Sequence, residues 1–139
     1  MKSRLALLFA VFTLSSCWVS TLHEPIENAS ARATPLSFGM NVTPDPDTNP
    51  IDPPERFSGY HAATDFEVSA GELDGDVPIY AICKGKVRFS GYTDGYGGLV
   101  VQSCTIDRKA VTVLYGHLSL KGLPKEGQRM KAGDVLGLL

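Results

Sequence analysis

The sequence has little that would place it across a membrane or on nucleic acid. No apolar run reaches the roughly 18 residues that a membrane-spanning helix needs. The 13 basic residues are balanced by 15 acidic ones, so no positive field exists for nucleic acid and no such partner is expected. Histidine and cysteine are scarce, with three of each among 139 residues. The side chains that could carry chemistry are therefore few.

Proline and glycine are unevenly distributed along the chain. Seven of the nine prolines lie between Pro25 and Pro54, whereas thirteen of the fourteen glycines lie from Gly59 onward. A chain of this length is enough for one domain and too short for two. The second part is therefore expected to hold the compact fold.

Residues 1–16 have the features of a secretory signal peptide. Lys2 and Arg4 precede about ten largely apolar residues, and Leu14-Ser-Ser leads to Cys17. This ending resembles a bacterial lipoprotein box, in which cleavage precedes the cysteine and its sulfur receives a diacylglycerol. We expect an exported lipoprotein that is anchored to the membrane through Cys17 and faces the cell envelope or periplasm. An ordinary signal peptide with a chance cysteine is the alternative.

The remainder is predicted to be a tether followed by an antiparallel all-β domain. Residues 17–34 show no sustained periodicity and are interpreted as the tether. Proline removes backbone donors and blocks helix, so residues 35–60 are expected to be extended loop within a domain that covers residues 35–139. Short segments rich in β-branched and aromatic residues follow, with glycine-containing turns between them. They are Val77–Ile82, Lys86–Phe89, Leu99–Val101 and Val111–Tyr115.

Cys83 and Cys104 both fall on predicted strands. A hairpin centred between Thr93 and Asp94 would place the two cysteines opposite each other. The same register pairs Val87 with Val100 and Phe89 with Gly98. Opposed strand residues can meet disulfide geometry, and an exported protein meets oxidant. We predict a disulfide worth about 3 kcal/mol by the loop-entropy model; two buried thiols are the alternative.

Two histidines of the predicted domain have suggestive neighbours. His61 precedes Asp65 by four residues, and both side chains could reach one zinc ion. A hydrogen-bonded surface pair would show the same spacing. His117 follows a predicted strand, where a histidine is either a general base or a satisfied core residue.

The order of the motifs along the chain helps to decide between the alternative roles of His61, Asp65 and His117. Gly59-Tyr-His61-x-x-x-Asp65 precedes Val77-Pro-Ile-Tyr-Ala81, Gly95-Tyr-Gly-Gly-Leu-Val-Val101, Leu114-Tyr-Gly-His117-Leu-Ser119 and a glycine-rich tail that ends at Gly137. This series resembles the lysostaphin-like (LytM-type) zinc endopeptidases over residues 35–139. The family cuts peptide crosslinks in bacterial peptidoglycan.

The resemblance implies a role for each matching residue. His61 and Asp65 correspond to two zinc ligands, and His117 corresponds to the active-site histidine that orients water and stabilises the developing oxyanion. Zinc is the implied cofactor, because it activates water and polarises the scissile carbonyl. Peptidoglycan peptide crosslinks are the implied substrate.

Two departures from the family pattern stand out. Ala63 occupies the position where the family usually has glycine between the two ligands. The family also carries a downstream His-x-His motif that supplies the third zinc ligand, and Leu139 comes before any such motif. We therefore expect a fragment, incomplete at the C-terminal side and inactive as given. A non-catalytic wall-binding or regulatory module is the main alternative, and a biotinyl- or lipoyl-type carrier domain is a weaker one.

Overall fold

The computed structural model describes residues 21–139, which form an antiparallel β fold with little helix. The predicted signal peptide, Cys17 and the start of the predicted tether lie outside the described residues. The all-β prediction is confirmed. The strands are β1 (Asn41–Val42), β2 (Gly59–Tyr60), β3 (Pro78–Tyr80), β4 (Gly85–Thr93), β5 (Gly97–Ile106), β6 (Lys109–Leu118), β7 (Arg129–Met130) and β8 (Val135–Leu138); the helical turns are α1 (Ala29–Arg32) and a 3-10 turn at Ala70–Glu72.

The main sheet has four strands in the order β6-β5-β4-β7, and two smaller pairings join β3 to β8 and β1 to β2. All of these pairings are antiparallel. The main sheet and the β3–β8 pair contribute apolar side chains to one core, because alternate strand residues point to the same face. The core residues on these strands are Ile79, Val87, Val100, Tyr115, Leu118, Met130 and Leu136. Val77 and Ala81, which flank β3, also belong to the core.

The register of the β4–β5 hairpin differs from the predicted one. Thr93 pairs with Gly97 across a three-residue turn, and a bulge between Val87 and Phe89 shifts the ladder again. Val87 therefore faces Gln102 instead of Val100, and Phe89 faces Val101 instead of Gly98. The prediction was wrong because it assumed a two-residue turn and an unbroken ladder. Three-residue hairpin loops contain a residue in the left-handed region, and within this turn Gly95 has φ +81°.

A disulfide joins Cys83 to Cys104, whose Cα atoms are 6.2 Å apart. The two residues do not face each other in the ladder, because Gly85 is the partner of Cys104. Cys83 lies instead in the bend between β3 and β4, contrary to its predicted place on a strand. The bridge thus ties this bend to β5.

The segment predicted as a tether is part of the fold from His23 onward. The His23 backbone N–H donates to Ile82 at 2.9 Å, and the Tyr80 N–H donates to Pro25 at 2.8 Å, so the segment covers the free edge of β3. Ile26 is only 1% exposed and belongs to the core. Ile26 is an isolated apolar residue among polar neighbours, so its segment shows no hydrophobic periodicity that would predict its burial. In residues 21–139 no helix has the length and apolar character needed to cross a bilayer.

Candidate metal centre

His61 is held at the end of the small β1–β2 sheet. Its backbone N–H donates to Met40 at 2.8 Å, and its carbonyl accepts from the Gly39 N–H at 2.6 Å, which extends the pairing of the two strands by one residue. The residue is 8% exposed, so its imidazole is largely withdrawn from solvent. The sheet therefore fixes the backbone from which the ring projects.

Asp65 brings its carboxylate to the buried imidazole. Oδ2 of Asp65 lies 3.0 Å from Nε2 of His61, and the Asp65 side chain is 45% exposed. Two tetrahedral zinc ligands at the usual bond lengths lie roughly 3.3 Å apart, so the two atoms are close to the separation that one zinc ion requires. The pair fits two positions of a zinc site.

The second ring nitrogen of His61 is unusual. Nδ1 is buried, and it has no hydrogen-bond partner in the described part of the chain. Buried polar atoms are nearly always paired, and an unpaired one costs about 1–3 kcal/mol. One nitrogen of the imidazole is therefore left without a partner by the protein itself, which calls for an explanation such as a bound ion or water.

His117 lies in a bulge near the end of β6. Gly98 pairs with Leu118 and Val100 with Tyr115, so Gly116 and His117 together oppose Leu99. His117 has φ +59°, in the left-handed region that few non-glycine residues adopt, and its N–H donates to the Tyr96 carbonyl at 2.7 Å. Its side chain is exposed, so it is not a core histidine.

One groove brings Asp65 and His117 together. The groove has a volume of about 1100 Å³, and both residues line it. One wall is formed by residues 31–36 and another by residues 51–57, with Gly95 near His117. His61 does not line this groove, which agrees with its position behind the Asp65 carboxylate. Exposed Asp65 thus connects the buried histidine to the groove that His117 faces.

Sequence reasoning missed the groove wall that braces Asp65. The Thr34 N–H donates to the Asp65 carbonyl at 3.0 Å, and the Glu67 N–H donates to the Arg32 carbonyl at 2.9 Å. The Arg32 guanidinium makes two 2.7 Å hydrogen bonds to the Glu72 carboxylate. Residues 32–34 therefore hold the backbone on both sides of Phe66.

The charge of Glu72 is strongly stabilised by its neighbours. Hydrogen bonds from Arg32, and then from Ser69, hold the pKa of the Glu72 carboxyl far below its ordinary value of 4.5. The same contact raises the pKa of Arg32. Ser69-x-x-Glu72 forms a capping box around the 3-10 turn, and this spacing was the one signal in the sequence that could have located the brace.

The described residues bring together two candidate metal ligands and no larger set. No group of three or more histidine, cysteine, aspartate and glutamate side chains converges anywhere in residues 21–139. A catalytic zinc normally has three protein ligands. His61 and Asp65 would therefore make up only part of such a centre.

Comparison with known proteins places this site in a family. No curated protein matches the chain significantly, and neither does any solved structure. The family model described as Peptidase family M23 matches residues 59–139, more than half of the chain. The matched region contains His61, Asp65 and His117, and it covers every strand from β2 to β8. The chain therefore belongs to peptidase family M23.

Proposed function

We propose that this protein is a zinc metalloendopeptidase domain that hydrolyses peptide crosslinks in peptidoglycan. The observation that carries the proposal is the 3.0 Å approach of His61 Nε2 to Asp65 Oδ2 beside the groove that Asp65 shares with His117. His61 and Asp65 would hold the zinc ion. When bound, zinc would polarise the scissile carbonyl and lower the pKa of a water molecule.

His61, Asp65 and His117 would have different roles in the reaction. Buried His61 provides the fixed side of the site, and half-exposed Asp65 lies on the side that a substrate can reach. The His117 imidazole can accept a proton from the attacking water and donate a hydrogen bond to the developing oxyanion. The bulge fixes the backbone from which the His117 ring projects toward the groove.

The groove suits an extended peptide. It is open at the surface and lined by residues 31–36 and 51–57. Phe57 is 50% exposed and adds an apolar contact beside Pro53 and Pro54. An extended peptide presents unpaired N–H and C=O groups, and such a groove can pair them while its apolar side chains select neighbours of the scissile bond.

A non-catalytic wall-binding module is the second candidate. It is favoured by one observation, that the described residues converge on two metal ligands and no third. Such a module would use the same groove to bind the peptide without cleaving it. The two functions differ in whether a peptide bond is broken.

Purified peptidoglycan distinguishes the two functions. The full gene product, supplied with zinc, is incubated with peptidoglycan, and new amino groups and the sedimented protein are measured together. The enzyme releases amino groups, chelation stops the release, and His117→Ala abolishes it while sedimentation persists. His23→Ala is the matched control, because His23 is the remaining histidine and does not line the groove. Sedimentation without release would favour the binding module, and release that survives both chelation and His117→Ala would refute the assigned mechanism.

Export and lipidation at Cys17 belong to the same proposal. Their support is the signal-like start of the sequence and the Leu14-Ser-Ser-Cys17 ending. The expected product in a bacterial host is a membrane-associated protein whose mass includes a diacylglycerol on Cys17. Cys17→Ser should release it from the membrane fraction in high salt.

A further inference from the structure

The charges of the protein are sharply divided along the chain. Residues 21–76 contain two basic and eleven acidic residues, a net charge of −9. Residues 77–139 contain nine basic and four acidic residues, a net charge of +5. The overall charge of −2 conceals this separation. The basic half is the part that forms the main sheet.

The basic residues concentrate at one end of β4. Lys86 on β4 pairs directly with Arg129 on β7, and paired residues of an antiparallel ladder project from the same face. Val87 and Met130, their neighbours in sequence, are buried, so Lys86 and Arg129 point to solvent. Like charges directly opposite each other destabilise a sheet. No ion pair among the described residues neutralises the charges of Lys86 and Arg129.

Four further basic side chains surround this pair. We name the set the basic end; its members are Lys84, Lys86, Arg88, Lys125, Arg129 and Lys131, and all six are exposed. The Lys86 side chain crosses the turn at Gly127, where an added Cβ would lie 3.7 Å from its Cε. Glu126 and Asp134 are the acidic residues within the same turns, so the basic end retains a net charge of about +4.

The basic end is far from the groove. β4 runs from the basic end toward Gly95, which lines the groove together with His117. The extended chain between Lys86 and Gly95 spans about 30 Å at the usual rise per strand residue. A partner bound at the basic end therefore leaves the groove open.

The N-terminal segment enters the fold beside the basic end. His23 donates its backbone N–H to Ile82, two residues before Lys84. Its ring lies against Gly133, where an added Cβ would be 3.0 Å from Cδ2 of His23. Five residues separate Cys17 from His23, and this stretch reaches at most about 20 Å when extended. A lipid on Cys17 would thus hold the basic end, and not the groove, close to the bilayer.

We propose that the basic end is a docking surface for an anionic phospholipid bilayer. Charge complementarity and the short chain between Cys17 and His23 both select this partner. A diacylglycerol on Cys17 would hold the chain at the bilayer, and the basic end would add electrostatic attraction to anionic headgroups that sets the orientation. Docking in this orientation directs the groove away from the membrane, toward the wall. The orientation rests on the proposed lipid at Cys17, whereas the inference is independent of zinc and of peptide hydrolysis.

Vesicle binding tests the surface separately from the lipid anchor. The mature chain from residue 17 onward, carrying Cys17→Ser, is sedimented with vesicles of phosphatidylcholine alone and with vesicles that also contain phosphatidylglycerol, at low and high salt. We expect binding to the anionic vesicles only, lost at high salt as screening shortens the range of the charges. Each basic residue near such a surface is worth roughly fivefold in partitioning, so Lys86→Glu with Arg129→Glu should weaken binding at least about 25-fold.

A matched double variant controls for net charge. Arg56→Glu with Lys121→Glu changes the charge equally, but Arg56 lines the groove and Lys121 follows the groove end of β6, so binding should persist. Lys86→Gln with Arg129→Gln removes the like-charge contact without introducing a new one, and it should reduce binding by a smaller factor. Equal binding to neutral vesicles, an equal loss in the control variant, or retention of soluble polyphosphate without vesicle binding would each overturn the proposal.

Discussion

The Tyr115 hydroxyl donates a hydrogen bond to Oε1 of Gln102 at 2.9 Å, within the core and two residues before His117. The same hydroxyl accepts from the Ile82 N–H at 3.0 Å, and Nε2 of Gln102 donates to the Cys83 carbonyl at 2.9 Å. Gln102 is fully buried and Tyr115 is 6% exposed. These bonds join the β3–β4 bend to the strand that carries His117.

Tyr115→Phe should destabilise the fold by about 1–3 kcal/mol, because it leaves the Ile82 N–H and one acceptor of Gln102 unpaired in the core. The change is measured as a lower urea midpoint. Tyr92→Phe is the control, since Tyr92 is 64% exposed and should lose almost nothing. Equal midpoints for the two variants would show that the Tyr115 bonds contribute no net stability.

The ionisation of Tyr115 adds a pH dependence to this prediction. Burial raises the pKa of the Tyr115 phenol above its ordinary value of 10.0. The unfolded chain therefore loses this proton at lower pH than the folded protein, so the contribution of Tyr115 is complete below pH 10.0 and declines as the pH rises further. Wild type should lose stability above that pH more steeply than Tyr115→Phe.

Glu72→Gln should weaken the brace between the N-terminal segment and the loop that follows Asp65. The Glu72 pKa is lowered, so its contribution is complete above the ordinary value of 4.5 and is lost as the pH falls toward the folded-state pKa. The stability difference between wild type and Glu72→Gln should therefore be largest near neutrality and shrink in acid. Glu126→Gln, at an exposed glutamate without an ion pair in the described chain, should show no such trend.

Removing the Cys83–Cys104 bridge should cost about 3 kcal/mol, because it frees a loop of 21 residues in the unfolded chain. The double variant Cys83→Ser with Cys104→Ser and the thiol-reduced wild type should show the same fall in urea midpoint. If reduction leaves the midpoint of wild type unchanged, the bridge is absent or contributes nothing to stability.

Gly98→Ala should disturb the bulge that carries His117. A Cβ at Gly98 would overlap the Leu118 carbonyl, so β5 and β6 could not keep their spacing. We expect a loss of about 1–3 kcal/mol together with a shifted His117 ring signal in NMR spectra. Gly91→Ala is the control, because its Cβ would meet Phe89 at an ordinary 3.7 Å. A shift of equal size in both variants would argue against the bulge as the cause.

The sequence predicts the parts of this protein that local patterns determine. The strands around Lys86 and Val111 follow from β-branched residues between glycines, and the His61–Asp65 spacing singles out the pair that the fold brings to 3.0 Å. The hairpin register was missed because neither the bulge after Val87 nor the three-residue turn has a strong sequence signal.

Features that depend on distant partners escaped sequence analysis. Ile26 reaches the core only because its backbone segment pairs with β3, and Gln102 is buried only because Cys83 and Tyr115 satisfy its amide. Thr34 braces Asp65 from 31 positions away in the chain. Such contacts require the tertiary fold before they can be seen.

Zinc titration of the full chain, with histidine and aspartate variants in parallel, tests the central claim most directly. With two protein ligands we predict one site of micromolar or weaker affinity, abolished by His61→Ala or Asp65→Ala and unchanged by His23→Ala. Cobalt absorption in place of zinc gives a second readout of the same ligands. Zinc binding that survives both His61→Ala and Asp65→Ala would contradict the assignment of this pair as the metal centre.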